Sequence, residues 1–372
     1  MRLWRIGVAL MGAVACASAF ALVWPHAREA GALLSAQNDP AELSELKLNS
    51  VLRSNEGVVV QNIETALAEG DVDLAASFVE LASARHIDIP DELSRRVSEA
   101  VTETNSSSYL AKRFASGFVT GNVDDAASLS GTIAGDLFVF GDIRDVVREG
   151  KRLAKGEDSD RLVLGLAAAG LAVTGATYVS AGGALPVRAG LTLVKDARKV
   201  GRLGDGLARW AGRSSRELVD VPMLQKTVAS GSMLRPSAIR ALFRAEKAGA
   251  LVRLGKDVGR VTQKAGTRGA LDTLRIAEGP KDVARAARLA ESQGGKTRAI
   301  MKLLGRGALL LVSGAFELAL WVFSALLALF GFLSSVKAMA ERFTQKWLDR
   351  RKAYRLRVQS KAGDLTLVNA ES

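Results

Sequence analysis

The sequence predicts a mostly α-helical protein, anchored in a membrane by transmembrane helices near its N- and C-termini, with a helical middle that contains an Ala/Gly-rich apolar hairpin. Three observations predict this class. Two long apolar stretches lie close to the two ends of the 372-residue chain. Between them, apolar residues recur at spacings of three and four, the helical period, and alternation of period two is confined to Asp364–Asn369 in the tail. With 48% hydrophobic and 24% charged residues the chain can bury a core, and a single cysteine, Cys16, leaves no material for a disulfide framework or a multi-cysteine metal site.

Residues 1–24 form the first element. Ile6 to Trp24 run without a charge behind Arg2 and Arg5. Nineteen residues at about 1.5 Å each just span a hydrocarbon core of about 30 Å. This is a signal-anchor or a signal peptide, with Ala17-Ser18-Ala19 as the small-residue cleavage site in the second case. Cys16 inside it reads as a small packing residue.

Residues 25–108 form an acidic helical-hairpin region. Val59, Ile63 and Leu67 make one apolar stripe, Leu74, Phe78 and Leu81 a second, and Leu93, Val97 and Val101 a third. Gly70-Asp71 separates the first two helices with Asp71 as N-cap, and Pro90 opens the third at its first position. The segment 56–105 is where a protein partner is expected.

Residues 109–206 are rich in glycine and alanine. The spacing of Gly117, Gly121, Gly131 and Gly135 suits a linker or closely packed helices. The segment 138–161, with Gly141-Asp142 and Asp145 ahead of an apolar hairpin, resembles the glycine-rich pre-toxin segments of bacterial polymorphic toxins over fewer than sixty residues. No recognisable toxin domain follows it. Between Leu162 and Val194 only Arg188 is charged, and Gly182-Gly183 and Pro186 divide the stretch into two helices. Ala168, Ala172, Ala176 and Ser180 recur every fourth residue and form a ridge on which a second helix can pack closely. The hairpin is a third span, a membrane-inserting device or a buried helical pair. Basic flanks without a marked bias, six Lys/Arg in the twenty residues before Leu162 and five in the twenty after Val187, favour a segment that does not cross.

Residues 207–306 are basic and helical. Leu251, Leu254, Val258, Val261 and Ala265 make an apolar stripe beside a basic one of Arg253, Lys256, Arg260, Lys264 and Arg268, a face suited to anionic surfaces. Gly279-Pro280 divides two helices. Gly294-Gly295-Lys296-Thr297 imitates the end of a phosphate loop but lacks the earlier glycine and the preceding strand. Residues 307–336 follow as a transmembrane helix of thirty residues whose one ionisable group, Glu317, either serves a function inside the bilayer or sits at its edge. Residues 337–372 are a basic juxtamembrane helix and tail, with Phe343, Trp347 and Tyr354 among seven cations in 337–356.

Charge is divided along the chain. Residues 25–161 carry a net −10 and residues 188–306 a net +16. The two halves meet different partners or attract each other. No metal, cofactor or catalytic site is expected, because His26 and His86 lack further ligands at metal spacing and no nucleophile has a base beside it. These observations lead to a scaffold or interaction protein of the bacterial inner (cytoplasmic) membrane, with membrane lipids as partners. The alternatives are a membrane-inserting, toxin-like effector that uses 162–194 and a membrane-tethered nucleic-acid binder. Nucleic-acid binding is disfavoured because 188–306 offers only Trp210 and Phe243 for stacking.

Overall fold

The computed structural model describes residues 2–55, 57–104, 131–177, 185–231, 243–310 and 315–368. Among them the chain is helical, and its only β feature is an isolated antiparallel bridge between Val219 and Phe243. It divides into two compact units, one of Met1–Ser35 with Ser313–Ser372 and one of Ala36–Val312.

The first helix, α1 (Arg2–Ser35), belongs to the terminal unit. The central unit begins with α2 (Pro40–Ser54), where Asp39 caps the N-terminus by accepting from the Ala41 amide at 2.9 Å and Pro40 takes a position that needs no amide proton. The three expected helices follow as α3 (Val58–Ala68), α4 (Val72–Arg85) and α5 (Asp91–Thr104). Asp71 caps α4 through the Leu74 amide, as its spacing predicts. His86 ends that helix in the left-handed region, at φ 53°. Val59, Ile63, Leu74, Phe78, Leu81, Leu93 and Val97 bury the three predicted stripes in one core.

The glycine-rich region becomes α6 (Gly131–Ala154), α7 (Arg161–Thr177) and α8 (Leu185–Lys199). Leu162, Val163, Leu164, Leu166, Ala167, Ala168 and Ala169 of α7 are buried, as are Leu191, Val194 and Ala197 of α8. The described parts of the apolar hairpin, 162–173 and 186–194, thus pack into the central unit, in line with one of the three expected arrangements, a buried helical pair. Its Gly182-Gly183 turn lies outside the described residues, as do Gly117 and Gly121.

Helices α9 (Asp205–Leu218), α10 (Val221–Ala229), α11 (Gly249–Ile276), α12 (Pro280–Gln293) and α13 (Thr297–Leu304) complete the unit. The predicted stripe Leu251, Leu254, Val258 and Val261 faces the core, and Gly279 and Pro280 mark the start of α12. Gly266, at φ 75°, breaks the regular course of α11. The closest helix approach uses glycines: a Cβ at Gly190 would lie 1.9 Å from the Gly255 carbonyl oxygen, and one at Gly259 2.2 Å from that of Pro186. Only hydrogen at these α-carbons lets α8 and α11 touch backbone to backbone.

The terminal unit pairs α1 with α14 (Ala315–Val368). Two boundaries differ from the sequence expectation. The first helix does not stop at Trp24 but continues through Pro25 to Ser35. The second does not begin at Gly307. Residues Gly305–Ala308 form a 3₁₀ turn, Ala308 and Leu309 are buried in the central unit, and Lys47 Nζ donates to the Gly307 and Leu310 carbonyls at 3.1 and 3.3 Å. Asp364 to Val368 are helical, so the one stretch read as a strand candidate is the end of α14.

Candidate functional site

The terminal unit carries the most distinctive surface. α1 and α14 are both long and apolar enough to cross a membrane, and their most apolar eighteen-residue windows have mean hydropathy 1.5 and 2.1. Their partners run in opposite directions. A Cβ at Gly12 would lie 3.7 Å from Ser335 Oγ, and one at Gly331 3.0 Å from Cys16 Sγ. Further along, the His26 ring stacks on Trp321 at 4.8 Å between centroids. As the number rises in α1 it falls in α14, which makes the pair antiparallel. Small residues at the crossing, Gly12, Cys16, Gly331 and Ser335, allow the approach, as in helix pairs packed without a hydrophobic driving force. The outward faces are apolar: Leu320, Phe323, Leu326, Leu327, Phe330 and Leu333 are exposed. Towards the end of α14, Phe343, Trp347 and Tyr354 are exposed among the basic residues, with the Arg351 guanidinium 4.1 Å from the Trp347 ring centre. Glu317 falls in the first turn of α14, and its side chain lies outside the described residues.

In the central unit the predicted basic stripe is divided. Arg260 forms a two-pronged pair with Glu291 and a further bond to Asp257 at 3.0 Å. Arg268, beyond the break at Gly266, pairs with Asp71 at 2.9 Å. Arg253, Lys256 and Lys264 are exposed. On the small-residue ridge, Ala168 is buried and Ala172 half-buried, while the side chains of Ala176 and Ser180 lie outside the described residues. The tight contact of α7 is made by glycines instead. A Cβ at Gly165 would lie 2.2 Å from Ser215 Cβ, and one at Gly170 2.2 Å from Asp142 Oδ2.

A buried charge cluster joins α6 to α8, and composition alone gave no sign of it. Lys195 Nζ reaches Asp142 Oδ1 at 2.7 Å and Asp145 Oδ2 at 3.0 Å. Lys199 reaches the same Asp145 oxygen at 3.1 Å. Burial pushes the Asp142 carboxyl up to about 6, although Lys195 and Arg188 pull it down. Burial alone would lower Lys195, but the two aspartates outweigh it and its pKa is raised. A second network centres on buried Arg298, which donates to both oxygens of Asp71 at 2.8 Å and to Asp272 at 2.9 Å. Burial would raise Asp71, but Arg298 and Arg268 hold it well below the usual carboxylate range. Both networks tie the acidic half of the chain to the basic half. The only sequence signal for them was the opposite sign of the two halves. Among the described residues no group of three or more metal-ligating side chains converges.

Comparison with protein families, curated proteins and solved structures finds no match to this chain.

Proposed function

We propose that the chain is a membrane-anchored scaffold of the bacterial inner membrane, in which α1 and α14 cross the bilayer as an antiparallel pair and hold the helical unit 36–312 at its surface. The observation that supports this reading is the antiparallel register of two helices whose outward apolar faces are unburied: only 6% of the residues in each apolar window are buried. A long apolar face left in water is costly at about 25 cal/mol per Å², and lipid removes that cost.

An antiparallel pair brings both termini to one side. Arg2 and Arg5 precede the first span, and seven cations between 337 and 356 follow the core of the second, a bias that supports a cytoplasmic side for both termini. The unit 36–312 then lies on the far side. Its basic second half does not oppose this, since long loops translocate largely regardless of charge. Anionic headgroups meet Arg253, Lys256 and Lys264 in this reading, because Arg260 and Arg268 are neutralised within the protein. A reporter enzyme active only outside the cytoplasm tests the topology. It should be active when inserted at Gly231 and inactive when fused after Ser372. Activity after Ser372 or inactivity at Gly231 would refute the two-span arrangement.

A further inference from the structure

A cleft of about 760 Å³ opens in the central unit where the end of α6, the first turn of α7, the end of α8 and one face of α9 come together. Six arginines line it: Arg152, Arg161, Arg198, Arg209, Arg213 and Arg216. The fold explains their convergence. On α9, Leu207, Ala211, Ser215 and Leu218 are buried, and Gly165 of α7 sits directly against Ser215. That fixed contact turns the opposite positions, Arg209, Arg213 and Arg216, outward on successive turns. Arg161 lies one turn before Gly165 on α7, so the same crossing brings it to the cleft.

The acidic groups of the cleft do not neutralise these cations. Glu149 is buried and already accepts from Arg148 Nε at 2.8 Å and from the Asp160 amide at 3.0 Å, with Arg152 at 3.7 Å. Asp160 caps α7 through the Leu162 and Val163 amides and pairs with Arg198 at 3.0 Å. Asp158 and Asp205 stand exposed at the lining. Among the described residues, Arg161, Arg209, Arg213 and Arg216 make no ion pair and no side-chain hydrogen bond. Four guanidiniums without an ion-pair partner, against the two carboxylates of Asp158 and Asp205, leave the concavity with a net positive field for an anion.

We propose that this cleft binds a soluble oligophosphate, a ligand with two or more linked phosphate groups. Guanidinium presents planar paired donors that match phosphate oxygens two at a time, and four of them exceed what a single phosphate can engage. Among the described residues no aromatic side chain lines the cleft, so recognition rests on the phosphates and not on a stacked base. A lipid phosphomonoester offers one phosphate where the cleft offers donors for several. The inference goes beyond the anchoring role and does not depend on which side of the membrane the unit occupies.

The test is isothermal titration of the full chain in neutral detergent with inorganic tripolyphosphate, in metal-free buffer. One saturable site is expected, with affinity that falls as salt rises. The double variant Arg209→Gln, Arg213→Gln removes two exposed cations and should bind at least tenfold more weakly with an unchanged melting temperature. The control Lys281→Gln, Arg288→Gln, two exposed cations outside the cleft, should bind as the natural chain does. Orthophosphate and dioctanoyl phosphatidic acid should each bind at least tenfold more weakly than tripolyphosphate. The proposal is overturned if tripolyphosphate does not bind saturably, if the cleft variant binds unchanged, if the control loses affinity equally, or if either single-phosphate probe matches tripolyphosphate.

Discussion

Lys195 of α8 donates to Asp142 of α6 at 2.7 Å in a place where each side chain keeps only 6% of its exposure. The two residues stand 53 positions apart. The pair, shared with Asp145, fastens α6 to α8 within the glycine-rich region. A buried ion pair contributes little against an apolar replacement of both partners, but loss of one partner strands a charge.

Replacing Lys195 with methionine is therefore expected to destabilise the central unit by about 3–5 kcal/mol, because buried Asp142 loses its ion-pair partner while Asp145 keeps only Lys199 and Arg148. The companion variant Asp142→Asn in that background should recover part of the loss. Denaturant unfolding of the detergent-solubilised chain measures both. Asp142 also sets a pH dependence. Its carboxyl holds a proton up to about pH 6 when folded and only to about 3.8 when unfolded, so its contribution is full below pH 3.8 and is lost as pH rises through 6. Asp142→Asn should flatten the stability profile over that window.

Asp71 has the opposite sign. Its folded pKa lies below the ordinary value of 3.8, so the stability it contributes is present above pH 3.8 and is lost as pH falls beneath it. Asp71→Asn should remove that acid-side loss and lower stability at pH 7 by about 3 kcal/mol, since Arg298 is buried and loses its two-pronged partner. Glu291→Gln, which breaks the exposed pair with Arg260, should cost under about 1 kcal/mol. Unfolding curves at pH 3 and pH 7 separate the two.

Gly190→Ala places a methyl group 1.9 Å from the Gly255 carbonyl oxygen, where no flexible side chain can yield. The helices α8 and α11 must separate, and a loss of about 1–3 kcal/mol or more is expected. Gly141→Ala, whose Cβ would meet nothing within 4 Å, should have little effect. Thermal melts of the two variants decide the matter.

Local features of the fold were legible in the sequence. The Asp71 cap, the stripes of α3 to α5, the apolar face of α11 and the Gly279-Pro280 boundary all follow from rules that act over one or two helical turns. Long-range pairing did not follow. Asp71 is readable as a cap, but nothing near it announces Arg298, 227 residues away. The tight helix crossing was expected at Ala172 and Ala176, because regular small-residue spacing is visible. Gly190 and Gly255 make the closer contact, which depends on how two distant helices meet. Hydropathy also could not assign Gly307 to Leu310, since a residue facing the core and one facing lipid have the same composition. The arginines of the cleft are spread from 152 to 216, and only the crossing of α7 and α9 unites them.

The register of the two terminal helices is the central claim, and one cross-link tests it directly. Cys16 is the only cysteine in the chain, and its Cβ lies 4.0 Å from where a Cβ at Gly331 would stand, within the range a disulfide bridges. The variant Gly331→Cys, carrying a specific protease site inserted at Gly231, is expressed in membranes, oxidised with a membrane-permeable catalyst and cleaved. The account predicts that the two fragments stay joined on a non-reducing gel and separate on reduction, while Phe330→Cys, 69% exposed on the outer face, yields separate fragments. Separate fragments from Gly331→Cys, or equal cross-linking from Phe330→Cys, would contradict the antiparallel pairing of α1 with α14.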